Sequence, residues 1–108
     1  MTESPRQLES SLLLKSAKQL QDVHDNWSGD IEQLKNVLFY NRRLWTVFVG
    51  SVCADDNELP LQLRNNIANL GAFIFKHSIE TQYDPRPERL LPLISINREI
   101  AAGLAAGA

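Results

Sequence analysis

The sequence predicts an all-α protein, a single domain folded as a compact four-helix bundle. Three observations predict it. Apolar residues recur at spacings of three and four in four separate segments, which is the helical period. Strand-like alternation of any length is missing. The segments are parted by short runs rich in Asp, Asn, Gly and Pro, the residues that turn a chain.

The first helix is expected over about 5–24. Ser4-Pro5 reads as its start, a hydroxyl cap followed by proline at the first helical position. Leu8, Leu12, Leu13, Ala17, Leu20 and Val23 share one side, whereas Leu14 points away. The run Asp25-Asn26-Trp27-Ser28-Gly29-Asp30 is a loop in which Ser28 or Asp30 caps the second helix, about 30–53.

That second helix carries two adjacent stripes. Ile31, Leu34, Leu38, Asn41, Trp45, Phe48 and Val52 make one; Val37, Tyr40, Leu44 and Val47 make the other. Together they cover an arc of about 200°, wider than a surface helix needs, so this helix should touch at least two neighbours. Leu44, Trp45 and Phe48 are read as core. Phe39 lies on the opposite face with Arg42, Arg43 and Thr46 as helical neighbours. An aromatic beside two arginines has the composition of an interface hot spot, although a single exposed aromatic is also common.

Asp55-Asp56-Asn57-Glu58 breaks the chain before Pro60, which opens the third helix, about 60–83. This helix has two apolar faces. Leu63, Ile67, Leu70 and Ile74 form one; Leu61, Ala68, Ala72, Phe75 and Ile79 form another, turned away by about 160°. One face can pack within the bundle, and the second must meet another helix or a partner. Phe39, Arg42, Arg43, Leu61, Ala68, Ala72, Phe75 and Ile79 are therefore the candidate partner-binding residues.

Asp84-Pro85-Arg86-Pro87 ends the third helix, and the fourth is expected over about 88–105, with Pro92 near its first turn. Its apolar face holds Leu90, Leu93, Ile94, Ile96, Asn97, Ile100, Ala101 and Leu104, of which Ile96 and Ile100 are read as core. The tail 101–108, with its two glycines, is expected to fray. Asn97 and Asn41 both sit inside apolar stripes. A buried amide must find partners, so the pair is read as structural, bonding each other or nearby backbone and fixing the register of their helices.

Composition excludes more than it assigns. A formal charge of -2 gives no electrostatic footprint for direct nucleic-acid binding. No apolar run approaches the ~20 residues of a membrane span, and nothing reads as a signal peptide, so a cytoplasmic protein is expected. Cys53 is the single cysteine and, in an apolar run, reads as a small core residue. His24 and His77 each stand alone, without metal-ligand spacing; His77 falls at the edge of an apolar face, where partial burial is expected. The acidic run at 55–58 does not match a calcium loop. With no phosphate loop and no nucleophile elbow either, no enzyme, metal or cofactor is expected.

Two strings carry a family resemblance: Asn41-Arg42-Arg43-Leu44-Trp45-Thr46, and Leu93-Ile94-Ser95-Ile96-Asn97-Arg98-Glu99-Ile100-Ala101-Ala102-Gly103-Leu104. They resemble the FlaF family of flagellar biosynthesis regulators. Ser4-Pro5-Arg6 and the Leu13-to-Leu20 segment are similar to that family's first helix. The likeness covers nearly the whole chain, in order. It departs at the start, where Met1-Thr2-Glu3 stands in place of a short tyrosine-containing lead.

The resemblance implies a cytoplasmic factor in flagellar filament assembly that acts on flagellin, promoting its production or secretion in opposition to the translational regulator FlbT. Flagellin, through its amphipathic terminal helices, is then the expected partner, with FlbT a second. An RNA-linked regulator of flagellin synthesis acting with FlbT is the alternative. Helix geometry alone, not the family, nominates Phe75 and Ile79 as apolar anchors and Phe39, Arg42 and Arg43 as a clamp.

Overall fold

In the computed structural model, residues 5–107 are described. They form four α-helices: α1 (Pro5–Asp25), α2 (Ile31–Val52), α3 (Leu61–Tyr83) and α4 (Leu91–Gly107), with a 3-10 turn, Pro87–Leu90, leading into α4. No strand occurs among the described residues, and the fold is an all-α four-helix bundle. The Ser4 cap and the Met1-Thr2-Glu3 lead lie outside the described residues.

Local chemistry sets the helix ends. Asn26 closes α1 by donating both its backbone N–H and its side-chain amide to the Asp22 carbonyl. Gly29 then takes a positive φ of 77°, a conformation that costs other residues. Asp30 caps α2 by accepting from the Gln33 N–H. At the far end of α2, the Arg64 side chain reaches back from α3 to bond the Val52 and Ala54 carbonyls, at 2.6 and 2.9 Å. Pro92 is the second residue of α4, where no intrahelical donor is missed. The helix persists to Gly107, past the point where its glycines were expected to loosen it. Ala101 and Leu104 are buried, and Ser10 of α1 donates to the Ala101 carbonyl at 2.8 Å.

α1 packs most extensively against α4, and α2 joins that pair to α3. α3 rests chiefly on α2 and touches the 3-10 turn. The cross-section is unequal, with extents of 42 × 29 × 17 Å, because α3 flanks one side of α2. Its buried stripe is Ile67, Gly71, Ile74, Ser78 and Thr81, in steps of four and three. Gly71 permits a close approach: a Cβ there would stand 2.5 Å from Cγ2 of Val49 and 3.6 Å from the Trp45 ring.

The centre of the bundle holds a polar network within apolar packing. Trp45, Asn41 and Asn97 are each fully buried. Trp45 Nε1–H donates to Asn97 Oδ1 at 2.9 Å, and Asn97 Nδ2 donates to Asn41 Oδ1 at 2.8 Å. Ser16 of α1 donates to the same Asn41 oxygen at 2.8 Å, and Asn97 Nδ2 also reaches the Leu13 carbonyl at 3.4 Å. An indole N–H can only donate, so Trp45 dictates which way the Asn97 amide faces, and Asn97 in turn dictates Asn41. Three helices are thereby held at one level.

Several residues read as buried are not. Leu8 is 49% exposed and Ile31 42%; each lies in the first turn of its helix, where cover by neighbours is incomplete. Cys53 is exposed because α2 ends at Val52 and the chain turns away. Leu44, Ile96 and Ile100 are partly buried against the core, whereas Trp45 and Phe48 are within it, their rings edge-to-face with centroids 5.4 Å apart. His77 is partly buried, stacked on Phe73, and its Nε2–H donates to the Arg89 carbonyl at 2.7 Å.

Candidate functional site

The site grows from the outer face of α2. Phe39, Arg42, Arg43 and Thr46 follow one another at helical spacing, so they project together on the side away from the core. α3 runs alongside and contributes Phe75 and Ile79. Between the two helices lies an open groove of about 600 Å³ lined by these six residues and Val47. The close approach at Gly71 brings the helix backbones together at one level, and the larger side chains of α3 beyond it form the groove's second wall.

The floor and walls are apolar. Phe39 is 57% exposed and Ile79 46%, while Phe75 is half-buried and packs onto the core. The rim is cationic. Arg42 and Arg43 form no ion pair among the described residues, and the buried Nε–H of Arg42 finds no acceptor there. An adjoining recess of about 430 Å³ continues the groove past Arg42 and Ile79 to Lys35, Gln82 and Tyr83.

Of the residues nominated from the sequence, Phe39, Arg42, Arg43, Phe75 and Ile79 come together in this groove. Leu61, Ala68 and Ala72 do not line it. Leu61 is 67% exposed at the start of α3, Ala68 is half-buried, and Ala72 is exposed. The second apolar face of α3 is therefore divided, and only its C-terminal part joins the groove.

Val47 corrects the reading of α2. Placed in a buried stripe by periodicity, it is 68% exposed. It stands on the ridge between this groove and a smaller one, about 200 Å³, lined by Leu8 and Leu12 of α1 and Leu44 of α2 among others. Lys35 and Tyr83 were also missed. Lys35 carries a signal in its spacing, since it lies seven residues before Arg42 on the same helix face; Tyr83 becomes a neighbour only through the packing of α3 on α2.

The described residues contain no group of three or more His, Cys, Asp or Glu side chains placed to hold a metal ion, and none of their helices is long and apolar enough to cross a membrane. What the groove offers is surface: hydrocarbon to cover and cations to neutralise.

The family model described as Flagellar protein FlaF matches residues 1–104 of the chain. No curated protein and no solved structure matches it.

Proposed function

The chain belongs to the FlaF family of flagellar proteins, and from that premise we propose that it binds flagellin as a chaperone-like regulator, promoting the production or secretion of the filament subunit. The observation that carries this reading is the α2–α3 groove, where Phe39 and Ile79 stand exposed over the half-buried Phe75. A groove with an apolar floor suits one face of an amphipathic helix. Flagellin carries such helices at its termini, and they must stay covered until export. Masking needs no catalysis. It needs a surface that competes with self-association and still lets go. Such a complex acts in the cytoplasm, where flagellin is made, and FlbT is the expected second partner.

The experiment is co-purification of flagellin with the full-length protein, comparing wild type with Phe39→Asp and Ile79→Asp. Both positions are exposed enough for the fold to survive substitution. Capture by wild type and loss in both variants, with unchanged circular dichroism, is expected. Equal capture by all three would remove the groove from the mechanism. Failure of wild type to capture flagellin, alongside a salt-sensitive shift of flagellin mRNA, would replace the proposal with an RNA-linked one.

A further inference from the structure

We infer that the occupant of the α2–α3 groove is an amphipathic helix flanked by carboxylates, with acidic side chains on the edge that faces α2. This rests on the reading of the groove as the partner face and adds the chemistry of what enters it. The chain as a whole is slightly acidic, at -2. The groove and its adjoining recess nevertheless bring Lys35, Arg42 and Arg43 to one side and include no carboxylate in their lining. Among the described residues Lys35 reaches only Glu32, at 3.9 Å on the surface, while Arg42 and Arg43 pair with no acid.

The cationic edge runs from Lys35 to Arg43, and the apolar lining continues to Val47. At the helical rise this is about 18 Å of α2, room for roughly three turns of a partner helix. Apolar side chains of that helix would cover Phe75, Ile79 and Phe39. Carboxylates spaced three or four residues apart along its flank would meet the cations in register.

The test uses the full-length protein and two fluorescein-labelled helical peptides of about five turns, long enough to span the groove. They share one leucine stripe; one has Glu at the flanking positions and the other Lys. Fluorescence anisotropy is expected to show the Glu peptide binding about tenfold or more tightly, a preference that shrinks as salt rises. Arg42→Gln/Arg43→Gln, folded by circular dichroism, should bring the two peptides within about threefold of each other. Equal binding of both peptides by wild type overturns the inference, as does a preference that the double variant retains. A wild-type dimer that Phe39→Asp converts to monomer would put a second copy in the groove and overturn it as well.

The flagellin reading fails separately. If flagellin is not captured but the Glu peptide is preferred, the acidic-helix inference stands alone. If flagellin is captured through Phe39 and Ile79 and neither peptide is preferred, only the acidic-helix inference falls.

Discussion

Asn97 donates to Asn41 at 2.8 Å across 56 positions of sequence, and the two amides are not equivalent. Asn97 engages Trp45, Asn41 and the Leu13 carbonyl. Asn41 accepts from Asn97 and Ser16, but its own buried Nδ2 has no partner among the described residues. Replacing Asn41 by Leu therefore strands two donors while removing one already stranded. Replacing Asn97 by Leu strands the indole N–H of Trp45 and leaves Asn41 held by Ser16 alone. An orphaned buried polar group costs about 1–3 kcal/mol. Each change leaves the core with one more unsatisfied donor than before, so both variants should unfold at lower urea, by about 1–3 kcal/mol, with helix content kept. Near-ultraviolet circular dichroism of Trp45 should change in Asn97→Leu. An unchanged near-ultraviolet signal in Asn97→Leu would mean that the network does not orient the indole.

Gly71 makes a second prediction. Alanine at a mid-helix position ordinarily gains up to about 1 kcal/mol over glycine. Here the new Cβ would sit 2.5 Å from Val49 Cγ2, and a β-branched side chain cannot easily swing aside. Gly71→Ala should destabilise by about 1–3 kcal/mol, the range for overpacked cores. Val49→Ala removes the obstructing methyl, so Gly71→Ala should be harmless or stabilising in that background. A double-mutant cycle in thermal denaturation measures the difference, and additivity would show that α3 can shift outward at little cost.

These two sites mark what the sequence made legible. The burial of Asn41 and Asn97 follows from their places within apolar stripes, and the solvent position of Phe39 from its place off them. Periodicity reports where a side chain points around its own helix, and it is silent on where the neighbouring helices stop. Val47 belongs to the apolar arc of α2, yet α1 covers one side of that arc and α3 the other, leaving Val47 bare on the ridge. Leu8 fails in the same way at the start of α1. Ala68 and Ala72 share a helical face with Phe75 and Ile79, but only the latter two border the groove. The contacts of Ser10 and Ser16 had no signal, because a serine within a helix reads as solvent-facing unless its neighbour across the interface is known. Gly71 did carry one. A lone glycine inside a helix is costly, and close helix approach is a common reason to keep it.

The turn between α3 and α4 gives a pH dependence. Asp84 accepts from Arg86 at 2.6 Å and from Arg89 at 3.0 Å. The hydrogen bond from Arg86 is the chief cause holding its carboxyl below the ordinary range. A depressed folded-state value means that the unfolded chain takes up the proton first as pH falls. The stabilisation is thus complete above the ordinary carboxylate range and disappears as pH drops through the lowered value. The pair is solvent-exposed, so the effect should be small and weaker in high salt. Asp84→Asn should be less stable than wild type at neutral pH and equal to it in strong acid, when compared by urea denaturation. A gap that persists in acid would assign the loss to geometry of the turn rather than to charge.

Arg64 ties the end of α2 to the start of α3, and its removal should loosen one place without melting the whole. The guanidinium donates from Nε to the Val52 carbonyl and from Nη2 to the Ala54 carbonyl. Both acceptors belong to the last turn of α2 and the residues just after it, where carbonyls lack intrahelical donors. A cation there also meets the negative end of the helix dipole. Methionine preserves much of the aliphatic stem and removes both bonds, so Arg64→Met should cost about 1–3 kcal/mol, the scale of hydrogen bonds to charged groups. Lysine keeps the charge and one bond at most, and should recover about half of that loss. Native-state hydrogen exchange should locate the change. Amides at 53–59 should exchange faster in Arg64→Met, while those flanking Asn41 and Asn97 change only as far as global stability falls. Uniform acceleration along the whole chain would show instead that the α2–α3 corner opens only with the rest of the bundle.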